Sequence, residues 1–171
     1  GTNVLSDEKG NIELDILAMI IDQIAAIHKS HKNIVIVTSG AIGVGMAQLG
    51  LAKKPSEIVQ RQACAAMGQH ILMMQYSNYF EKHSIKVAQI LLSYDAFTNK
   101  RKSENLLNAI HELFKHNCIP IINENDVTSI DEIGENFGDN DMLSAMVAAK
   151  LDAQQLLILT NVDGLFDKNP N

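Results

Sequence analysis

The run Ile34-Val35-Ile36-Val37 is short, uninterrupted and wholly β-branched. No polar residue alternates within it, so a strand made from it must be covered on both faces, as in a parallel sheet between helices. Small residues follow at once, in Thr38-Ser39-Gly40-Ala41-Ile42-Gly43-Val44-Gly45. Further strands are predicted at residues 85–92, 119–122 and 156–159, with Pro120 at the beginning of its strand, where a missing N–H costs least. Helices are predicted between them. Residues 14–28 place Ile16, Leu17, Ile20, Ile21, Ile24 and Ile27 on one face, and residues 56–82 do the same for Ala63, Met67, Ile71, Met74 and Phe80. Leu106, Leu107, Ile110, Leu113 and Phe114 mark a third helix, and residues 142–151 a fourth, with Asp139 or Asn140 as its N-cap. Strands alternating with helices predict an α/β fold, a three-layer α/β/α sandwich with a mainly parallel central sheet.

With 171 residues and no repeat or linker, the chain reads as one domain, 1–171. Its net charge of −6, with no run of Lys and Arg, argues against nucleic acid or an anionic membrane as partner. Cys64 and Cys118 lack any CxxC or Cys/His spacing, and the six histidines show no ligand spacing, so reduced thiols and no metal-binding residues are expected. There is no apolar run of membrane-spanning length and no signal peptide, and a cytoplasmic protein is expected.

In parallel sheets ligands gather beyond the carboxyl ends of the strands. Three polar clusters occupy that position: residues 38–45, 123–126 and 160–164. The first is read as a loop of small residues whose backbone N–H groups can approach a carboxylate or phosphate, or equally as a tight turn. Gly40, Gly43 and Gly45 reverse the GxGxxG spacing, and Leu51 stands where a P-loop requires Lys, so neither nucleotide motif is present. In Asn123-Glu124-Asn125-Asp126, amides could hold a carboxylate and Asp126 a cation, the equipment for an amino acid, although a solvated turn has the same composition. Gly138-Asp139-Asn140-Asp141 sets two carboxylates at a helix start, suited to capping or to organising a cation.

Together these motifs resemble the glutamate 5-kinases of the amino-acid kinase family. The matching pieces are Gly1-Thr2-Asn3-Val4-Leu5, Val37-Thr38-Ser39-Gly40-Ala41-Ile42, Ala65-Ala66-Met67-Gly68-Gln69 and Val87-Ala88-Gln89-Ile90-Leu91-Leu92. Asn123-Glu124-Asn125-Asp126, Gly138-Asp139-Asn140-Asp141 and Leu159-Thr160-Asn161-Val162-Asp163-Gly164-Leu165 follow in family order. The resemblance implies that Ser39, Asp126 and Asn140 hold L-glutamate, with the backbone at Gly40 and Ala41 close to the reacting group. It implies that Asp141 orients catalytic lysines and that Thr160 and Asn161 contact ATP, although most members carry Asp at the Asn161 position.

The implied reaction is transfer of the ATP γ-phosphoryl group to the glutamate side-chain carboxylate, with Mg²⁺ and lysines neutralising charge. Glutamyl 5-phosphate, the product, begins proline synthesis, and proline is the expected feedback inhibitor of a homo-oligomer. Family members also carry a lysine just before the opening Gly-Thr and an ATP-binding segment with a second lysine beyond Asn169. Both lie outside this sequence, as does the RNA-modification-type C-terminal domain of many members. The chain is therefore expected to be the substrate-binding part, truncated at both ends and inactive alone. Alternatives are a relative acting on another carboxylate, carbamate or phosphate, and a non-catalytic sensor of glutamate or proline.

Overall fold

The computed structural model describes residues 5, 11–128 and 140–160. Its elements run α1 (Leu14–Lys29), β1 (Ile36–Val37), α2 (Ala41–Gln48), α3 (Ile58–Glu81), β2 (Lys86–Leu92), α4 (Asp95–Thr98), α5 (Lys100–Lys115), β3 (Cys118–Glu124) and α6 (Asn140–Lys150). The three strands form one sheet in the order β1-β3-β2, and both pairings are parallel.

Successive strand side chains point to opposite faces, and here both faces are covered. Ile119 and Ile121 join Leu17 and Ile21 of α1 and Leu72 and Phe80 of α3 in one apolar cluster. Ile122 joins Leu92, Ile110 of α5, and Leu143 and Val147 of α6 in another. Helices therefore lie on both sides of a parallel sheet, the α/β/α sandwich that the β-branched runs required.

Pro120 sits third in the central strand rather than first. Its register partner on β2 is Ala88. Thr38 N–H donates to Ile122 O at 2.9 Å, so Ile122, and by alternation Pro120, direct their backbone polar groups toward β1. The β1 ladder begins only at Ile121. The missing N–H thus falls where no strand partner waits.

Three further expectations need correction. Residues 156–159 are not a strand, and Leu157 is 73% exposed. A strand exists only through a neighbour's backbone, and this stretch is outside the described sheet. In α1 the buried stripe is Leu17, Ile21 and Ala25, while Ile27 is 51% exposed. In α3 the helical period holds but the face differs. Cys64, Ala65, Gly68, Gln69, Leu72, Met73, Tyr76 and Phe80 are buried, whereas Met67 and Met74 are exposed.

Size explains that choice of face. A Cβ added at Gly68 would stand 1.8 Å from Ala41 O, and one at Gly45 would stand 1.8 Å from Cys64 O. The helices α2 and α3 meet backbone to backbone, and methionines on that face would hold them apart.

Candidate functional site

All three strands run the same way, so their carboxyl ends share one rim of the sheet. Beyond β1 the chain continues through Thr38 and Ser39, both buried, to Gly40, which precedes α2 with φ of 100°. That left-handed conformation suits glycine and lets the helix start at once. The small-residue tract is accordingly a loop only over residues 38–40, and from Ala41 onward it is helix. Thr38 Oγ1 and Tyr76 Oη lie 3.0 Å apart and tie the loop to α3. Burial pushes the Tyr76 hydroxyl up to about 12, with the Thr38 hydrogen bond opposing the shift, so this pair stays neutral. α2 has no side-chain cap and no acidic residue in its first turn. Its first N–H groups have no helix carbonyl to bond, which leaves a small positive potential at the rim.

Beyond β3, Asn125 N–H donates to Leu92 O at 2.8 Å, extending the parallel ladder past the strand's end. This holds residues 123–127 close to the rim. Ala41, Ala65, Gln69, Leu91, Glu124, Asn125, Asp126 and Val127 together line a small pocket that is open to solvent. The helix start after β1 and the polar turn after β3 are thus brought to one cavity. Ser39 lies two residues before Ala41 on the same buried loop.

The electrostatics of this pocket are unbalanced. Asp126 is pushed up to about 6, first by burial and then by the nearby Glu124 carboxylate, with Lys54 only partly offsetting them. A half-buried carboxylate beside another carboxylate favours a cation in contact with it. At the pocket wall, Gln69 is 9% exposed and its Nε2 is a buried donor with no hydrogen-bond partner among the described residues. Leaving such a donor unpaired costs about 1–3 kcal/mol. An arrangement in which a carboxylate is only partly offset by Lys54 and a buried donor has no acceptor is suited to a ligand that supplies both a cation and an acceptor.

The remaining predicted residues are placed less fully. Asn140 is the first residue of α6, inside the helix rather than capping it, and its Oδ1 is buried without a partner among the described residues. Asp139 lies outside the described residues. One turn on, Leu143 packs in the cluster that contains Leu92 and Ile122. Asp141 is exposed, and its carbonyl accepts from Ser144 Oγ at 2.7 Å. Thr160 is exposed, and Asn161 lies outside the described residues. Gln69 and Leu91 belong to the pocket, yet pattern alone did not select them. Gln69 sits on a helix face chosen by close packing, a choice that apolar periodicity does not record.

Among the described residues no three His, Cys, Asp or Glu side chains are grouped to hold a metal ion. Cys64 and Cys118 are buried and unbonded to each other. No helix among these residues is long and apolar enough to cross a membrane.

The profile of the amino acid kinase family matches residues 1–171. The chain therefore belongs to the amino acid kinase family. Among its curated relatives, the glutamate 5-kinase of Methanosarcina barkeri is 52% identical over 163 residues, covering 95% of this chain and 43% of the relative. That of Methanococcoides burtonii is 46% identical over 170 residues, covering 99% and 45%, and that of Oenococcus oeni is 45% identical over 173 residues, covering 100% and 65%. The chain spans roughly half the length of the relatives it matches.

Proposed function

We propose that this chain is the substrate-binding part, residues 1–171, of an ATP-dependent kinase that phosphorylates the γ-carboxylate of L-glutamate. The single observation that carries the reading is Asp126. It is a pocket-lining carboxylate raised by burial and by Glu124 and only partly offset by Lys54, where a substrate ammonium would complete the charge. The names of the relatives support glutamate as the amino acid and ATP as the phosphoryl donor.

In this reading Asp126 holds the glutamate ammonium while Ser39 and Asn140 orient the rest of the molecule. The first turn of α2, entered through Gly40 and Ala41, faces the reacting carboxylate with backbone N–H groups. Such groups are worth most where charge spreads over transferring oxygens. The reaction otherwise needs alignment rather than covalent help. Asp141 orients cationic side chains from parts of the protein beyond this chain, and Thr160 and Asn161 meet the nucleotide. Mg²⁺ is assigned to the ATP phosphates, whose charge it neutralises when bound.

Proline as a competing inhibitor, a homo-oligomeric assembly and a cytoplasmic location complete the proposal. Alone, the 171-residue chain is expected to show negligible turnover. The test is ATP consumption by the intact protein with glutamate, aspartate, acetylglutamate and carbamate in parallel, beside the isolated chain. Preference for glutamate supports the assignment. A different preferred acceptor, or binding of glutamate with no nucleotide use, overturns it, and brisk turnover by the isolated chain removes the claim of inactivity.

A further inference from the structure

The orientation of one amide chain can be deduced from a single backbone group. Glu124 N–H donates to Asn123 Oδ1 at 2.9 Å. A backbone N–H can only donate, so the Asn123 oxygen must face Glu124 and its Nδ2 must face away. Nδ2 donates to Gln69 Oε1 at 2.9 Å. Gln69 has then committed its oxygen, and its Nε2 remains as a buried donor with no partner among the described residues. Asn123 is 2% exposed, so the relay is closed to solvent at that end. Its open end is on the residue that shares the pocket with Ala41, Glu124 and Asp126.

We propose that Gln69 is a specificity-determining residue, its Nε2 donating to the α-carboxylate of an amino acid whose ammonium is held by Asp126. The inference rests on the glutamate-binding reading and deepens it. Ammonium and carboxylate on one carbon require a carboxylate and a donor in one pocket, and Asp126 and Gln69 are that pair. Relay polarity is what creates the specificity. A reversed amide would present an acceptor and repel the same group. Asn123, which does not line the pocket, is a positioning residue that keeps the Gln69 amide from turning.

The test uses the intact protein and two ligands, L-glutamate and 4-aminobutyrate, which keeps the ammonium and the distal carboxylate but lacks the α-carboxylate. Gln69→Leu is expected to raise the KM for glutamate by about 10-fold or more, with kcat at saturation and the KM for ATP little changed. Competition by 4-aminobutyrate should be unaltered, so that discrimination between the two ligands collapses. Asn123→Asp provides a second variant if Gln69→Leu fails to fold. Its carboxylate still accepts from Glu124 N–H but must also accept from Gln69, which turns the amide and should raise the glutamate KM without touching the pocket. Equal losses for both ligands, or an unchanged glutamate KM in a folded variant, overturn the proposal. Failure of the unmodified protein to use glutamate at all refutes instead the reading on which it rests.

Discussion

The helices α3 and α5 flank the sheet on opposite faces and are built on different terms. α5 settles its own accounts. Asn99 caps it by accepting from Lys102 N–H at 3.1 Å, Ile110 anchors its apolar stripe, and Lys115 pairs with Glu112 at 2.7 Å along its surface. α3 has no side-chain cap, packs through Gly68 and Cys64 where large side chains would clash, and carries the buried, unpartnered Nε2 of Gln69. The helix that borders the pocket tolerates unmet polar demand, whereas α5 meets its own. A binding site must keep such groups open, and stability has to come from elsewhere in the fold.

The sharpest way to break this contrast is Gly68→Ala. The new methyl would meet Ala41 O, and a loss of about 3 kcal/mol is expected by urea unfolding. A midpoint like that of the unchanged protein would mean that α2 and α3 separate cheaply.

Asp126→Asn should move stability the other way. The folded carboxylate titrates at about 6, above its ordinary 3.8, so between those values the folded state binds more protons than the unfolded state. Asp126 therefore costs nothing at low pH, and its cost grows as pH rises from 3.8 to about 6 and is constant above that. The variant should gain on the order of 1–3 kcal/mol at pH 8 and almost nothing at pH 4, read from urea midpoints across pH. Glutamate affinity should be lost in the same variant and, in the unchanged protein, should weaken below pH 6. A variant no more stable at pH 8 would show that Asp126 already has a cationic partner.

On the other face, Asn99→Ala should cost about 1 kcal/mol, because it leaves a first-turn N–H of α5 without its acceptor. Thermal unfolding would detect it, and no loss would mean that water serves the helix end equally well. Smallest of all, Met74→Gln on the exposed side of α3 should stay within about 0.5 kcal/mol. A larger loss would restore the apolar reading of that face and show that something covers it.

Much of the fold was legible because strand burial is a local property. Val and Ile without polar alternation at residues 34–37 required a sheet covered on both faces, and the predicted regions 34–37, 85–92 and 119–122 each contain a strand. The apolar stripe of α5 was legible for the same reason, since large side chains facing a cluster leave a periodic trace. The stretch 156–159 had a strand's composition, yet β structure requires a neighbour's hydrogen bonds, and composition does not provide one.

The site divides in a similar way. Sequence by itself determined the chemistry available at the rim: a glycine entry to α2, the amides and carboxylates of residues 123–126, and the family to which their order belongs. Only the tertiary structure decided that Ala41 and Asp126 share a pocket, and that Gln69 joins them. Parallel pairing aligned the strand ends, and the close approach of α2 to α3, possible because Gly45 and Gly68 have no Cβ, turned the small-residue face of α3 inward. Which way the Gln69 amide points depends on a backbone N–H 55 positions away along the chain, at Glu124, and contacts between residues so far apart exist only once the chain has folded.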